Sequence, residues 1–137
     1  MILPDKQRLK LGRAAVIDCR RRDCALCAPA CGFSAISAGE DGLPFSDPKK
    51  CVGCGGCAAV CPDGAVFLLK DRLDGSFEFT FPFAGELPEI DGTVMLTLPG
   101  EDEPRAARVI QVIPKRTNAA NALVRAAAAW SPKGGTE

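Results

Sequence analysis

The sequence predicts an α+β fold: a pseudo-two-fold, cysteine-rich first half over residues 1–70, followed by a small β-rich extension over 71–137. Three observations predict it. All eight cysteines lie between Cys19 and Cys61, in two runs, and none follows. Each run leads into a turn signal and a short apolar tail, GFSAIS after Cys31 and PDGAVFLL after Cys61, so the half repeats itself. Past residue 70 the texture changes to β-rich stretches with period-two alternation.

The elements follow in chain order. AAVID (14–18) reads as a short strand entering the first run, CRRRDCALCAPACG (19–32). Each run is expected to fold as loop, short helix, turn and strand, with the polar AGEDGLPFSDPKK (38–50) joining the halves. In FEFTFPF (77–83), Phe77, Phe79, Phe81 and Phe83 recur every second residue, the mark of a strand with one aromatic face. That face suits either a core or a subunit interface. GTVMLTL (92–98) and RVIQVI (108–113), separated by polar PGEDEP, predict a hairpin. NALVRAAAAW (121–130) admits two readings. Alanine propensity favours a helix, with Leu123, Ala127 and Trp130 on one face, and this is the reading preferred; a strand closing the β-unit is the other.

Composition narrows the function classes. Lys+Arg and Asp+Glu both number 17, so net charge is zero and nothing points to nucleic acid or an anionic membrane. No apolar stretch has the length of a membrane span or a signal-peptide core, and the expected compartment is the cytoplasm, where thiols stay reduced. Histidine is absent, which removes imidazole ligation and Ser–His or Cys–His catalysis. No catalytic residue is visible. Any chemistry falls to cysteine and a bound cofactor.

The cysteine spacing selects the cofactor. Groups of four thiolates suit zinc or iron–sulfur clusters. Zinc sites separate two CxxC knuckles by a longer loop, so that two pairs converge on one ion. CVGCGGCAAVCP (51–62) instead places Cys51, Cys54 and Cys57 within seven residues and Cys61 one helical turn on. This is the dicluster spacing, in which three thiolates hold one cluster and the fourth serves another. Gly53, Gly55 and Gly56 relieve bulk where backbone N–H groups turn toward sulfur. Ala25, Leu26, Ala28, Phe33, Val52, Ala58, Val60 and Val66 supply an apolar shell.

On these residues, positions 14–70 resemble the bacterial-type dicluster 2[4Fe–4S] ferredoxin family; the C-terminal extension carries no recognised pattern. The second run matches the family motif throughout, Pro62 included. The first departs twice: CRRRDC replaces a CxxC opening, and Gly32 stands where proline is usual. The resemblance implies a ferredoxin-like fold and two [4Fe–4S] clusters. One takes Cys51, Cys54, Cys57 and Cys31; the other takes Cys24, Cys27, Cys61 and, through the stretched loop, Cys19. If Cys19 does not reach, a three-iron cluster or a labile fourth iron is the alternative. Arg20, Arg21 and Arg22 in that loop either tune the cluster potential, dock an acidic partner, or simply face solvent.

The function so implied is one-electron transfer. Zero net charge and a long extension favour an iron–sulfur subunit of a larger oxidoreductase, in a hetero-oligomer whose partner is a flavoprotein, over a freely diffusing ferredoxin. A 2-oxoacid oxidoreductase is the second candidate for the parent enzyme.

Overall fold

A computed structural model describes residues 6–17, 35–38, 44–47, 50, 51, 53, 55–61, 66–98, 101–115, 117 and 119–130. In chain order these form α1 (Lys6–Leu11), β1 (Ala14–Ile17), β2 (Ile36–Ala38), β3 (Pro44–Ser46), α2 (Gly56–Val60), β4 (Val66–Asp71), β5 (Ser76–Phe83), β6 (Thr93–Leu96), β7 (Arg105–Ile113) and β8 (Ala122–Ala129). The first run, residues 19–32 with Cys19, Cys24, Cys27, Cys31 and Arg20–Arg22, lies outside the described residues, as do Cys54 and Pro62.

A six-stranded sheet in the order β1-β4-β5-β8-β7-β6 carries the architecture, with β2 and β3 paired separately. Every pairing in both sheets is antiparallel. Strands from the cysteine-rich half and from the extension thus share one sheet: β4 pairs with β5 across the turn at 72–75, in register Leu69↔Phe79.

Successive residues of a strand point to opposite faces, and both faces of this sheet are covered. Ala14 and Val16 of β1, Leu69 of β4, Phe77 and Phe79 of β5, and Val124, Ala126 and Ala128 of β8 join one apolar cluster. Ala15 and Ile17, Val66 and Leu68, and Leu123 join a second, together with Cys57, Ala58 and Cys61. The first is an aromatic face closed by Trp130, whose ring meets Phe77 and Phe79 edge-on at 5.1 and 5.6 Å. The second is a cysteine face. Burying one Val or Leu side chain contributes about 1.5–3 kcal/mol, so each face is a substantial core.

A bulge in β7 swaps which of its side chains face each side of the sheet. The register slips between Val109 and Gln111. Before the slip Ala107 and Val109 belong to the aromatic face; after it, Val112 packs there and Ile113 packs against the cysteine face. One extra residue changes the parity of everything downstream.

The strands expected at 14–18, 77–83 and in the tails of the two runs are present, and β6 and β7 form the expected hairpin. Phe77 and Phe79 are buried and Phe81 and Phe83 pack against the same cluster, so the stripe lies in core. The preferred helix at 121–130 is wrong: Ala122–Ala129 is a strand. It runs between β5 and β7, and pairing on both sides outweighs alanine's helical preference. The alanines have a steric role. Phe79 stands opposite Ala126 and Phe77 opposite Ala128, so each ring faces a methyl group. The strand also separates Leu123, on the cysteine face, from Trp130, on the aromatic face, which a helix places together.

Among the described residues, no helix is long and apolar enough to cross a membrane.

Candidate metal centre

The segment 51–61 enters from β3 through a turn: the N–H groups of Lys50 and Cys51 donate to the Asp47 carbonyl at 3.1 and 3.0 Å. Cys51 is then held at two further atoms. Its carbonyl accepts from Arg8 at 2.7 Å. Its Sγ accepts the backbone N–H of Ala15 at 3.3 Å. β1 is an edge strand, so the outward Ala15 N–H is available to the sulfur.

Two left-handed glycines then turn the chain. Gly53 has φ 74° and Gly55 φ 86°. Gly53 also lies against the chain before β1: a Cβ there would stand 2.5 Å from the Arg13 Cβ and 2.7 Å from its carbonyl oxygen. Gly55 caps α2, whose Cys57 and Ala58 are buried. Cys61 ends the helix in extended conformation and is buried too.

Cys51, Cys57 and Cys61 are thiols outside any disulfide. All three adjoin the apolar cluster on the cysteine face. The remaining predicted ligands, Cys19, Cys24, Cys27, Cys31 and Cys54, lie outside the described residues. Among the described residues no three Cys, Asp or Glu side chains converge on a point. Each proposed four-cysteine set contains at most two described members, Cys51 and Cys57 in one and Cys61 in the other.

The donor set fits an iron–sulfur cluster. Thiols lie in an apolar setting, one sulfur accepts a backbone N–H, and glycines allow the close turn that neighbouring amides need. Hydrogen bonds to cluster sulfurs and exclusion of water are the protein's means of setting potential.

Charged and polar residues that no motif signals surround this segment, and two of them, Arg8 and Asn121, bond it directly. Arg8 donates to the Gly12, Arg13 and Cys51 carbonyls at 2.9, 2.8 and 2.7 Å. Arg13 forks onto Glu78 at 2.7 and 3.2 Å, and the Glu78 side chain is only 8% exposed. On β8, Arg125 donates to Thr80 Oγ1 at 3.2 Å and to Gln111 Oε1 at 2.7 Å. Burial, then the neighbouring Arg13 charge, push its guanidinium down, against an opposing pull from Glu78. Asn121 bonds the carbonyls of Ala58 and Cys61. None of these carries a periodic or motif signal.

Comparison with known proteins converges on the same segment. Residues 44–67 match the family model described as a 4Fe-4S binding domain. The chain carries a ferredoxin-type 4Fe–4S domain. One subunit of the Na(+)-translocating ferredoxin:NAD(+) oxidoreductase complex of Acetobacterium woodii is 47% identical over 48 residues, 35% of this chain and 14% of that protein. The formate dehydrogenase iron-sulfur subunit of Wolinella succinogenes is 37% identical over 60 residues, 44% of this chain and 30% of that protein. A ferredoxin of Hydrogenibacillus schlegelii named ferredoxin 7Fe is 42% identical over 43 residues, 31% of this chain and 54% of that protein. The chain thus matches well under half of the first two relatives and about half of the third. No solved structure matches it. The cofactors of this domain are [4Fe–4S] clusters, two being the usual count for the dicluster type.

Proposed function

We propose that the chain is an electron-transfer subunit of a larger, flavin-dependent oxidoreductase, relaying single electrons through two [4Fe–4S] clusters. Residues 1–70 supply the ligands and residues 71–137 form the extension that braces them. Cys51, Cys54, Cys57 and Cys31 hold one cluster; Cys24, Cys27, Cys61 and Cys19 hold the other. Bound clusters supply one-electron redox chemistry. The chain's own residues bind, orient and shield: thiolates ligate, Ala15 N–H donates to the Cys51 sulfur, and the apolar cysteine face limits water.

The observation that supports this reading most directly is the setting of Cys51, Cys57 and Cys61, three thiols of one dicluster motif on one apolar face. The names of two relatives, a subunit of an oxidoreductase complex and an iron-sulfur subunit of a dehydrogenase, favour the subunit context. The ferredoxin 7Fe relative supports a second reading of the Cys19 side, a three-iron cluster served by fewer cysteines.

Anaerobic purification through an affinity tag on this chain tests both points. A stoichiometric complex with flavin and about eight irons per copy of this chain is expected. A single 14.4 kDa species without companion or flavin would instead be a diffusible ferredoxin. About seven irons, unchanged in Cys19→Ser, would assign the three-iron cluster.

A further inference from the structure

α2 is only five residues long, and its N-cap, Gly55, makes no side-chain cap bond. A helix of one turn and a half does not hold itself, because nucleation costs more than so few bonds return. Its last carbonyls also have no partners within the helix. A cavity of about 300 Å³, lined by Gly55, Gly56, Gln111, Asn121, Leu123 and Arg125, lies alongside it.

The far end is held differently. Ala120 and Asn121, at the end of the connection from β7 to β8, bond three carbonyls at the end of α2, those of Ala58, Ala59 and Cys61. The Ala120 and Asn121 N–H groups donate to the Ala59 carbonyl at 2.8 and 2.9 Å. Asn121 Nδ2 donates to the Ala58 carbonyl at 3.0 Å and to the Cys61 carbonyl at 2.6 Å. Asn121 directly precedes β8, which is paired on both sides. Four hydrogen bonds thus tie α2 to the centre of the large sheet.

We infer that Asn121 is a positioning residue for the iron–sulfur ligands: it fixes the tail of α2 so that Cys57 and Cys61 keep their places together. The inference rests on the ligand assignment above, in which these two cysteines serve different clusters. α2 is then the chain between the clusters, and its drift displaces a ligand of each. The side chain must be an amide. An aspartate at 121 brings acceptor oxygens against two carbonyls and donates nothing. The C-terminal extension thereby becomes part of the metal centre's support rather than an appended module.

The test uses the full chain, purified anaerobically as wild type, Asn121→Asp and Asn121→Ala. Three quantities are read: iron release to a ferrous chelator, the electron paramagnetic resonance spectrum after dithionite reduction, and the urea midpoint of Trp130 fluorescence. Loss of an outer contact to a metal ligand costs about 10- to 100-fold in metal retention. The expected result is iron release at least about tenfold faster in Asn121→Asp, with an altered reduced-state spectrum, an acceleration larger than any fall in the Trp130 midpoint accounts for. Release at the wild-type rate overturns the inference. So does release that quickens only in step with a fall in the Trp130 midpoint, since Asn121 is then a general stabiliser. If neither variant folds, amide exchange in the wild type decides: protection of Ala120 and Asn121 comparable to Val124 supports the tie, and loop-like exchange overturns it. A wild-type chain that holds no iron overturns the ligand assignment along with it, whereas iron-loaded wild type with indifferent variants overturns only the role of Asn121.

Discussion

The Arg8 guanidinium donates to the Cys51 carbonyl at 2.7 Å, across 43 residues of sequence. The same group takes the Gly12 and Arg13 carbonyls, so one side chain joins the end of α1, the entry to β1 and the first cysteine of the intact motif. The guanidinium spreads these bonds over two nitrogens, Nη1 to Gly12 and Nη2 to Arg13 and Cys51, a spacing that a single ammonium nitrogen does not reproduce. Arg8→Met should therefore destabilise the iron-loaded chain by about 2–3 kcal/mol, because carbonyls lose charge-assisted partners, and Arg8→Lys by less. Urea unfolding followed by the cluster absorbance checks the order. Equal midpoints for wild type and Arg8→Met would show that water replaces the guanidinium without loss.

Gly53 and Gly55 are both left-handed, and they should not respond equally to substitution. At Gly53 an added methyl collides with the Cβ and carbonyl of Arg13 at 2.5 and 2.7 Å, so the strain of φ 74° is joined by a backbone clash. At Gly55 the nearest atoms are the methyl ends of Leu123 and Leu68 at 3.4 and 3.5 Å, an ordinary contact. Gly55→Ala should cost about 1–2 kcal/mol, the backbone conformation alone. Gly53→Ala should cost roughly 1–3 kcal/mol more, the range for overpacking. Thermal unfolding of the two variants side by side is sufficient, and a Gly53→Ala chain as stable as Gly55→Ala would mean that the Arg13 segment yields.

Ala126 separates local preference from packing. Valine is the better strand former, yet Ala126 is fully buried opposite Phe79 in a face closed by Trp130. Ala126→Val should destabilise by about 1–3 kcal/mol, while Ala129→Val, at the exposed end of the strand, should change stability by no more than a few tenths of a kcal/mol. Trp130 fluorescence in urea reads both. A stabilised Ala126→Val would remove the steric explanation for the alanine run.

That run also marks how far the sequence reaches. Features written in neighbouring residues were legible: the cysteine spacing of 51–61, the alternation of Phe77 to Phe83, and the strands of the β6–β7 hairpin. β8 was not, because Ala126 to Ala129 favour a helix locally and become a strand only through β5 and β7 on either side. The bulge between Val109 and Gln111 leaves no alternation to find, since it is the break in alternation. Arg8 and Asn121 were illegible for a simpler reason. Arg8 bonds a backbone carbonyl 43 residues away and Asn121 two at 60 and 63, and a carbonyl is the same at every position, so no residue type signals the partner. Thus the cysteine spacing that the 4Fe-4S family model matches could be read directly, whereas the side chains that bond its backbone could not.

The Arg13–Glu78 fork offers the cleanest separation of pair energy from packing. Glu78 lies on the face of β5 opposite its phenylalanines, with a side chain 8% exposed, while Arg13 is 29% exposed. Removing the guanidinium in Arg13→Met leaves a nearly buried carboxylate short of its two strongest donors. That should cost about 1–3 kcal/mol, the lower part being favoured because Arg13 is partly screened by solvent and Arg125 is close by. Glu78→Gln introduced into Arg13→Met removes the stranded charge, so the double variant should be more stable than Arg13→Met alone. A double-mutant cycle in urea, with iron content held equal across the four proteins, measures the coupling. If the two single losses simply add, the fork contributes no coupling and Glu78 is satisfied through Arg125 instead.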